Sequence, residues 1–261
     1  MIVDSHIHVW PDKIVDRAIG VASTDLRRFG DGRISSAVAE MASAGIDRSI
    51  SLGVADTPAR IEGANRFAAS LDKDHFIGFG SIHPGLSAEE NVESLRRNGL
   101  LGAKVHPLFQ GYALDDPGLW EILDAMQGEF AIIAHVGEGD TAESNARCTP
   151  AMMRDLIRRF PRLDVVACHF GGYHLLDEAE DAVIGLPVYV DTSWPPSLAS
   201  LDAKRVRGLI ERHGPDRVVF GSDWPMANPA TEIAAIEALG LSDDDTAAVL
   251  GGNISRLLGL E

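Results

Sequence analysis

Two cysteines occur in 261 residues, Cys148 and Cys168, and neither belongs to a CxxC pair. That excludes a disulfide-stapled scaffold and points to a reducing, cytoplasmic setting. Basic residues are also scarce: 23 Lys and Arg stand against 39 Asp and Glu, for a net charge of −16. A surface so acidic repels the nucleic-acid backbone and anionic membranes, so neither is expected as a partner. No apolar run approaches the ~20 residues of a membrane span. The N-terminal MIVDSHIHV lacks the basic stretch and apolar run of a secretory leader. Low-complexity segments, charge blocks and linkers are absent, so one domain over 1–261 is expected. No GxGxxG turn follows the first apolar segment, which argues against a dinucleotide-binding open sheet.

What is present is a repeat. Short runs rich in Val and Ile recur eight times: MIVDSHIHV, RSISLGVA, HFIGFGSIHP, LGAKVHP, AIIAHVG, DVVACHFGG, PVYVDTSW and RVVFGSDWP. Segments of helical spacing lie between them, among them ISSAVAEMASAG, SAEENVESLRRNG and PAMMRDLIRRFP. Ser87 ahead of Ala-Glu-Glu is a helix N-cap signal, and Gly45, Gly99 and Gly214 mark helix ends. Strand and helix alternating eight times predict an α/β fold of the (β/α)8 TIM-barrel class. Two connections are long, from Trp10 to Arg33 and from Gly137 to Thr149. Both follow strand C-termini, where barrel loops build active sites, and are read as pocket walls or lids.

Parallel barrel strands are buried on both faces and ordinarily apolar throughout. Here they are interrupted. Residues i and i+2 share a strand face, so His6 and His8 point together, with Asp4 one layer below. Lys104 and His106 share a face in the fourth strand. His135, His169 and Asp223 close the fifth, sixth and eighth. Buried ionisable groups cost several kcal/mol unless paired or bound to a metal. Imidazoles and a carboxylate gathered at one rim suit a divalent cation, which lowers the pKa of bound water to about 7. Zinc is expected, with manganese, cobalt or iron as alternatives, and one ion rather than two.

With HIH in the first strand, then GAKVHP, AHVGE and CHFGG, and GSDWP in the last, the chain resembles the amidohydrolase superfamily over its whole length. The resemblance is to the branch containing aminocarboxymuconate-semialdehyde decarboxylase and pyrone-dicarboxylate lactonase. It implies that His6, His8, His135 and Asp223 bind the metal and that Asp223 also carries a proton. His169 is then the neighbouring catalytic group. Lys104 and His106 are further candidates for metal or substrate contact, Lys104 either as a plain ammonium or carboxylated. Trp10, Trp194, Trp224 and Arg147 are candidate substrate-binding residues, Arg147 as the cation for a substrate carboxylate. Phe109 and Tyr112 also follow strands and suggest an aromatic mouth.

The expected partner is a small molecule, with a homodimer allowed. The expected activity is metal-dependent hydrolysis of a C–N or C–O bond. The alternative is metal-dependent non-oxidative decarboxylation of an aromatic or enoic acid. Strand alternation turns Cys168 away from the rim toward the helices, and Cys148 receives no role.

Overall fold

The computed structural model describes residues 1–21, 28–139 and 141–260. Eight strands form one sheet in sequence order: β1 (Val3–Ile7), β2 (Arg48–Leu52), β3 (Phe76–Ser81), β4 (Gly102–Val105), β5 (Ala131–Ala134), β6 (Asp164–Ala167), β7 (Tyr189–Asp191) and β8 (Val218–Val219). All eight run parallel, and the fold is the (β/α)8 barrel. Each strand falls inside one of the eight apolar segments. Burial explains why they are legible: β1, β4 and β5 are buried at every position.

Two compact units make up the chain. The first comprises Met1–Ser51, Asp72–Ile77 and Asp191–Glu261; the second comprises Leu52–Leu71 and Gly78–Val190. In the first, β1 pairs with β2 in the register Val3↔Arg48 and Asp4↔Ser49. The Ser5 amide donates to the Phe220 carbonyl at 2.8 Å, tying β1 to the segment that follows β8. In the second, β4, β5 and β6 are in continuous register, Lys104 opposite Ile133 and Ala134 opposite Ala167. Gly102 lies where any side chain would run into the Ala131 carbonyl, so glycine permits the close approach of β4 to β5.

The helices obey the sequence signals. Ser87 caps Ala88–Arg97 through a reciprocal box: its hydroxyl accepts from the Glu90 amide, and the Glu90 carboxylate accepts from the Ser87 amide. Asp116 caps Pro117–Met126, which buries Leu119, Ile122, Leu123 and Met126 at i, i+3, i+4, i+7 spacing. Burying such side chains contributes ~1.5–3 kcal/mol each. Gly45 and Gly99 adopt φ of 72° and 62° past their helices, as expected of helix-ending glycines.

The two long connections carry structure of their own. Trp10 to Arg33 holds a helix at Val15–Val21, and residues 22–27 lie outside the described part. Gly137 to Thr149 holds one turn at Ala142–Asn145, capped by Thr141 and Ser144.

Candidate metal centre

The first unit brings three of the expected ligands together. His6 and His8 leave β1 on one face, and Asp223 follows β8. His6 Nε2 and His8 Nε2 lie 3.5 and 3.6 Å from Asp223 Oδ1. One donor atom from each of the three falls within 4.8 Å of the others. Backbone bonds hold the two segments in place: the Asp223 amide donates to the His6 carbonyl at 2.7 Å, and the His8 amide to the Trp224 carbonyl at 2.7 Å.

Beneath the ligands, Asp4 works as a strut. It accepts from the His6 amide, the Ser222 amide and the Ser222 hydroxyl at 3.0, 2.9 and 2.6 Å. Complete burial pushes its pKa up to about 6, against the pull of those hydrogen bonds. His6 turns its other nitrogen the opposite way, Nδ1 lying 2.8 Å from Asp191 Oδ2. Trp10 stacks on His8, centroids 5.9 Å apart at 24°. Trp194 and Trp224 are buried, and the Trp224 indole fills the space a side chain at Gly30 would need.

The second unit gathers the other expected residues. His106 and His135 are stacked, centroids 4.4 Å apart at 8°. His169 Nε2 and His135 Nδ1 are 3.1 Å apart, a hydrogen bond in which one ring carries the proton. His106 is placed from behind by Gln110, whose Oε1 accepts from the His106 amide at 2.8 Å and from the Tyr112 hydroxyl at 2.6 Å. Tyr112 is thereby committed to an internal hydrogen bond, while Phe109 remains exposed. Arg147 pairs with Glu143 at 2.8 Å.

Lys104 is buried and donates from Nζ to Cys168 Sγ at 3.1 Å. This corrects the outward orientation expected for Cys168. β6 ends at Ala167, and the chain enters a turn in which His169 and Phe170 take φ of 59° and 53°. Cys168 is itself still extended, its amide donating to the Ala134 carbonyl at 2.9 Å, so it shares a face with Val166. Alternation stops after it, and His169 is not a strand residue from which its direction can be counted. Cys148 is buried with its Sγ 3.3 Å from the Gly137 carbonyl, and burial pushes its thiol up to about 12, so it is inert.

Two residues were missed by the sequence reading, Asp191 and Ser193. The available signal was an acid and a hydroxyl ending the apolar run PVYV, the same kind of interruption that singled out Asp223. A cavity of ≈ 370 Å³ in the first unit was also unforeseen. Arg28, Phe29, Pro196, Met226, Thr231 and Glu232 are among its lining. The loop carrying Asp223 supplies part of its wall, and the Met226 amide donates to the Asp223 carbonyl at 2.8 Å.

Two imidazole nitrogens and a carboxylate oxygen, convergent and largely buried, with one imidazole backed by a second carboxylate, form a donor set that fits a divalent cation.

The amidohydrolase family model matches residues 3–260, and the chain belongs to that family. Among curated proteins none matches it in sequence. Solved structures share the fold. The 5-carboxyvanillate decarboxylase of Sphingomonas paucimobilis is 18% identical over 100% of this chain and 99% of its own, with a TM-score of 0.72. A dihydroxybenzoic acid decarboxylase from Polaromonas sp. JS666, with bound manganese and the inhibitor 2-nitroresorcinol, gives 0.74 at 18% identity over 99% and 97%. A probable 2-pyrone-4,6-dicarboxylic acid hydrolase from Acinetobacter baumannii, with citric acid bound, gives 0.70 at 14% identity over 99% of both chains.

Proposed function

We propose that the chain is a metal-dependent hydrolase that cleaves a C–N or C–O bond in a small cyclic or carboxylated substrate. The observation that carries this reading is the convergence of His6, His8 and Asp223 donor atoms within 4.8 Å. These residues would hold the ion, with His135 added on the family pattern, and zinc is the expected metal. A divalent cation held there would polarise a substrate carbonyl and acidify water.

Asp223 takes the proton from the attacking water and delivers it to the departing nitrogen or oxygen. His169 donates a hydrogen bond to the carbonyl oxygen as negative charge grows there. Its contact with His135 supports this assignment, because it orients the ring. Trp10, Trp194 and Trp224 are assigned to the apolar part of the substrate. Arg147, and Arg28 in the lining of the 370 Å³ cavity, are the cations offered to a carboxylate. Lys104, donating to Cys168, is assigned as an uncarboxylated ammonium.

A second reading is supported by two of the structural neighbours, which are decarboxylases of aromatic acids. There the same ligand set orients the acid, and a side chain of the site protonates the ring carbon that loses carbon dioxide.

A panel of lactones, cyclic amides and hydroxylated aromatic acids separates the two. The hydrolase reading expects ring opening without gas release. Carbon dioxide release from the aromatic acids alone overturns it in favour of decarboxylation.

A further inference from the structure

We infer that Asp191 and Ser193 are positioning residues that set the tautomer of His6 and so make its Nε2 a metal donor. The inference rests on the assignment of His6 as a ligand.

Asp191 ends β7, and the turn after it brings Ser193 back over the carboxylate. Both are completely buried, as is His6 to within 1%. The Ser193 hydroxyl donates to Asp191 Oδ1 at 2.6 Å, and the Ser193 amide donates to the same oxygen at 3.1 Å. Asp191 Oδ2 is left facing His6 Nδ1 at 2.8 Å. Ser193 Oγ is also 3.2 Å from that nitrogen, but its proton is already given to Asp191, so it faces the ring with a lone pair. A carboxylate and a hydroxyl lone pair both accept. The proton of neutral His6 is therefore held on Nδ1, and the lone pair on Nε2 points toward Asp223, 3.5 Å away.

An ion cannot be bound by a protonated nitrogen. An unconstrained imidazole divides its proton between two sites, while one anchored to a carboxylate presents a single donor and a more basic one. Asp191 also fixes the ring plane, because His6 cannot rotate without abandoning a buried carboxylate, which is costly to leave unpaired.

The test has two readouts. In metal-free protein, long-range proton–nitrogen NMR of the His6 ring reports the tautomer directly. The expected result is a proton on Nδ1 in the wild type and its transfer to Nε2 in Asp191→Asn, whose amide donates to Nδ1. A wild-type His6 protonated on Nε2 overturns the inference. The second readout is zinc and cobalt affinity by chelator competition. Asp191→Asn is expected to weaken binding about 10–100-fold, the usual cost of losing such a partner, with Ser193→Ala losing less. Asp191→Asn that keeps wild-type affinity, in protein whose metal-free melting temperature is unchanged, overturns it as well. Wild-type protein that binds neither ion refutes the ligand assignment of His6 instead, and the metal-free tautomer still decides the role of Asp191.

Discussion

Asp223 holds its carboxylate in the site from a backbone at φ 61°, in the left-handed region that costs a non-glycine residue ~1–2 kcal/mol. Among the described residues His169, Phe170 and His174 share that region, so two of the four are residues assigned here to chemistry. Strain of this kind persists where surrounding bonds over-determine it, and for Asp223 these are its own amide to His6 and the Trp224 amide to Ser222 Oγ at 3.0 Å. Asp223→Asn keeps one oxygen and the shape of the side chain but cannot take a proton. Turnover is expected to fall about 10²–10⁴-fold, measured as kcat on whichever substrate the panel identifies. A second buried acid gives a prediction in pH. Glu232 accepts from the Ser197 hydroxyl and the Leu198 amide, both at 2.7 Å, yet burial raises its pKa above the usual 4.5. A raised acid disfavours the folded state once it is ionised. Its contribution to stability is therefore lost as pH rises through the folded pKa and recovered on acidification toward 4.5. Denaturant midpoints across that interval should show Glu232→Gln with a shallower pH dependence than the wild type.

At the scale of elements, the helix Ala88–Arg97 depends on its cap, because its interior is polar and only Val92 and Leu95 are buried apolar residues. Ser87→Ala removes the acceptor for the Glu90 amide and should cost about 1 kcal/mol, read from the urea midpoint at unchanged slope. Ser87 was visible in the sequence because a cap is local chemistry, three residues long. The strands were visible for a different reason. Burial on both faces makes a parallel strand a block of Val, Ile and Ala, and AIIA in β5 is such a block. Where a block is short the reading loses precision: β8 is regular only at Val218–Val219, and Phe220 to Trp224, beyond it, still bond to the first strand segment through Phe220, Asp223 and Trp224. Cys168 was misdirected because its direction was counted back from His169, and the extended backbone ends between the two.

For the molecule as a whole, an ion bound only by the folded chain adds its binding free energy to stability. Zinc at 100 times its Kd should stabilise the protein by about 2.7 kcal/mol, and a chelator should return the melting temperature to the metal-free value. A melting temperature indifferent to both zinc and chelator contradicts the proposed centre. Among the described residues no helix is long and apolar enough to cross a membrane, in keeping with the missing apolar runs.

The order of strands and helices, the caps and the histidine pair of β1 were determined by the sequence alone, because periodicity and capping act within a few residues. Membership of the amidohydrolase family was legible for a related reason: its motifs are short and appear in a set order along the chain. The partner of His6 was decided only by the tertiary structure. Asp191 stands 185 residues away along the chain, and no spacing rule connects them. Which nitrogen faces an ion depends on what lies behind the ring, and that is settled when distant strands close on one another.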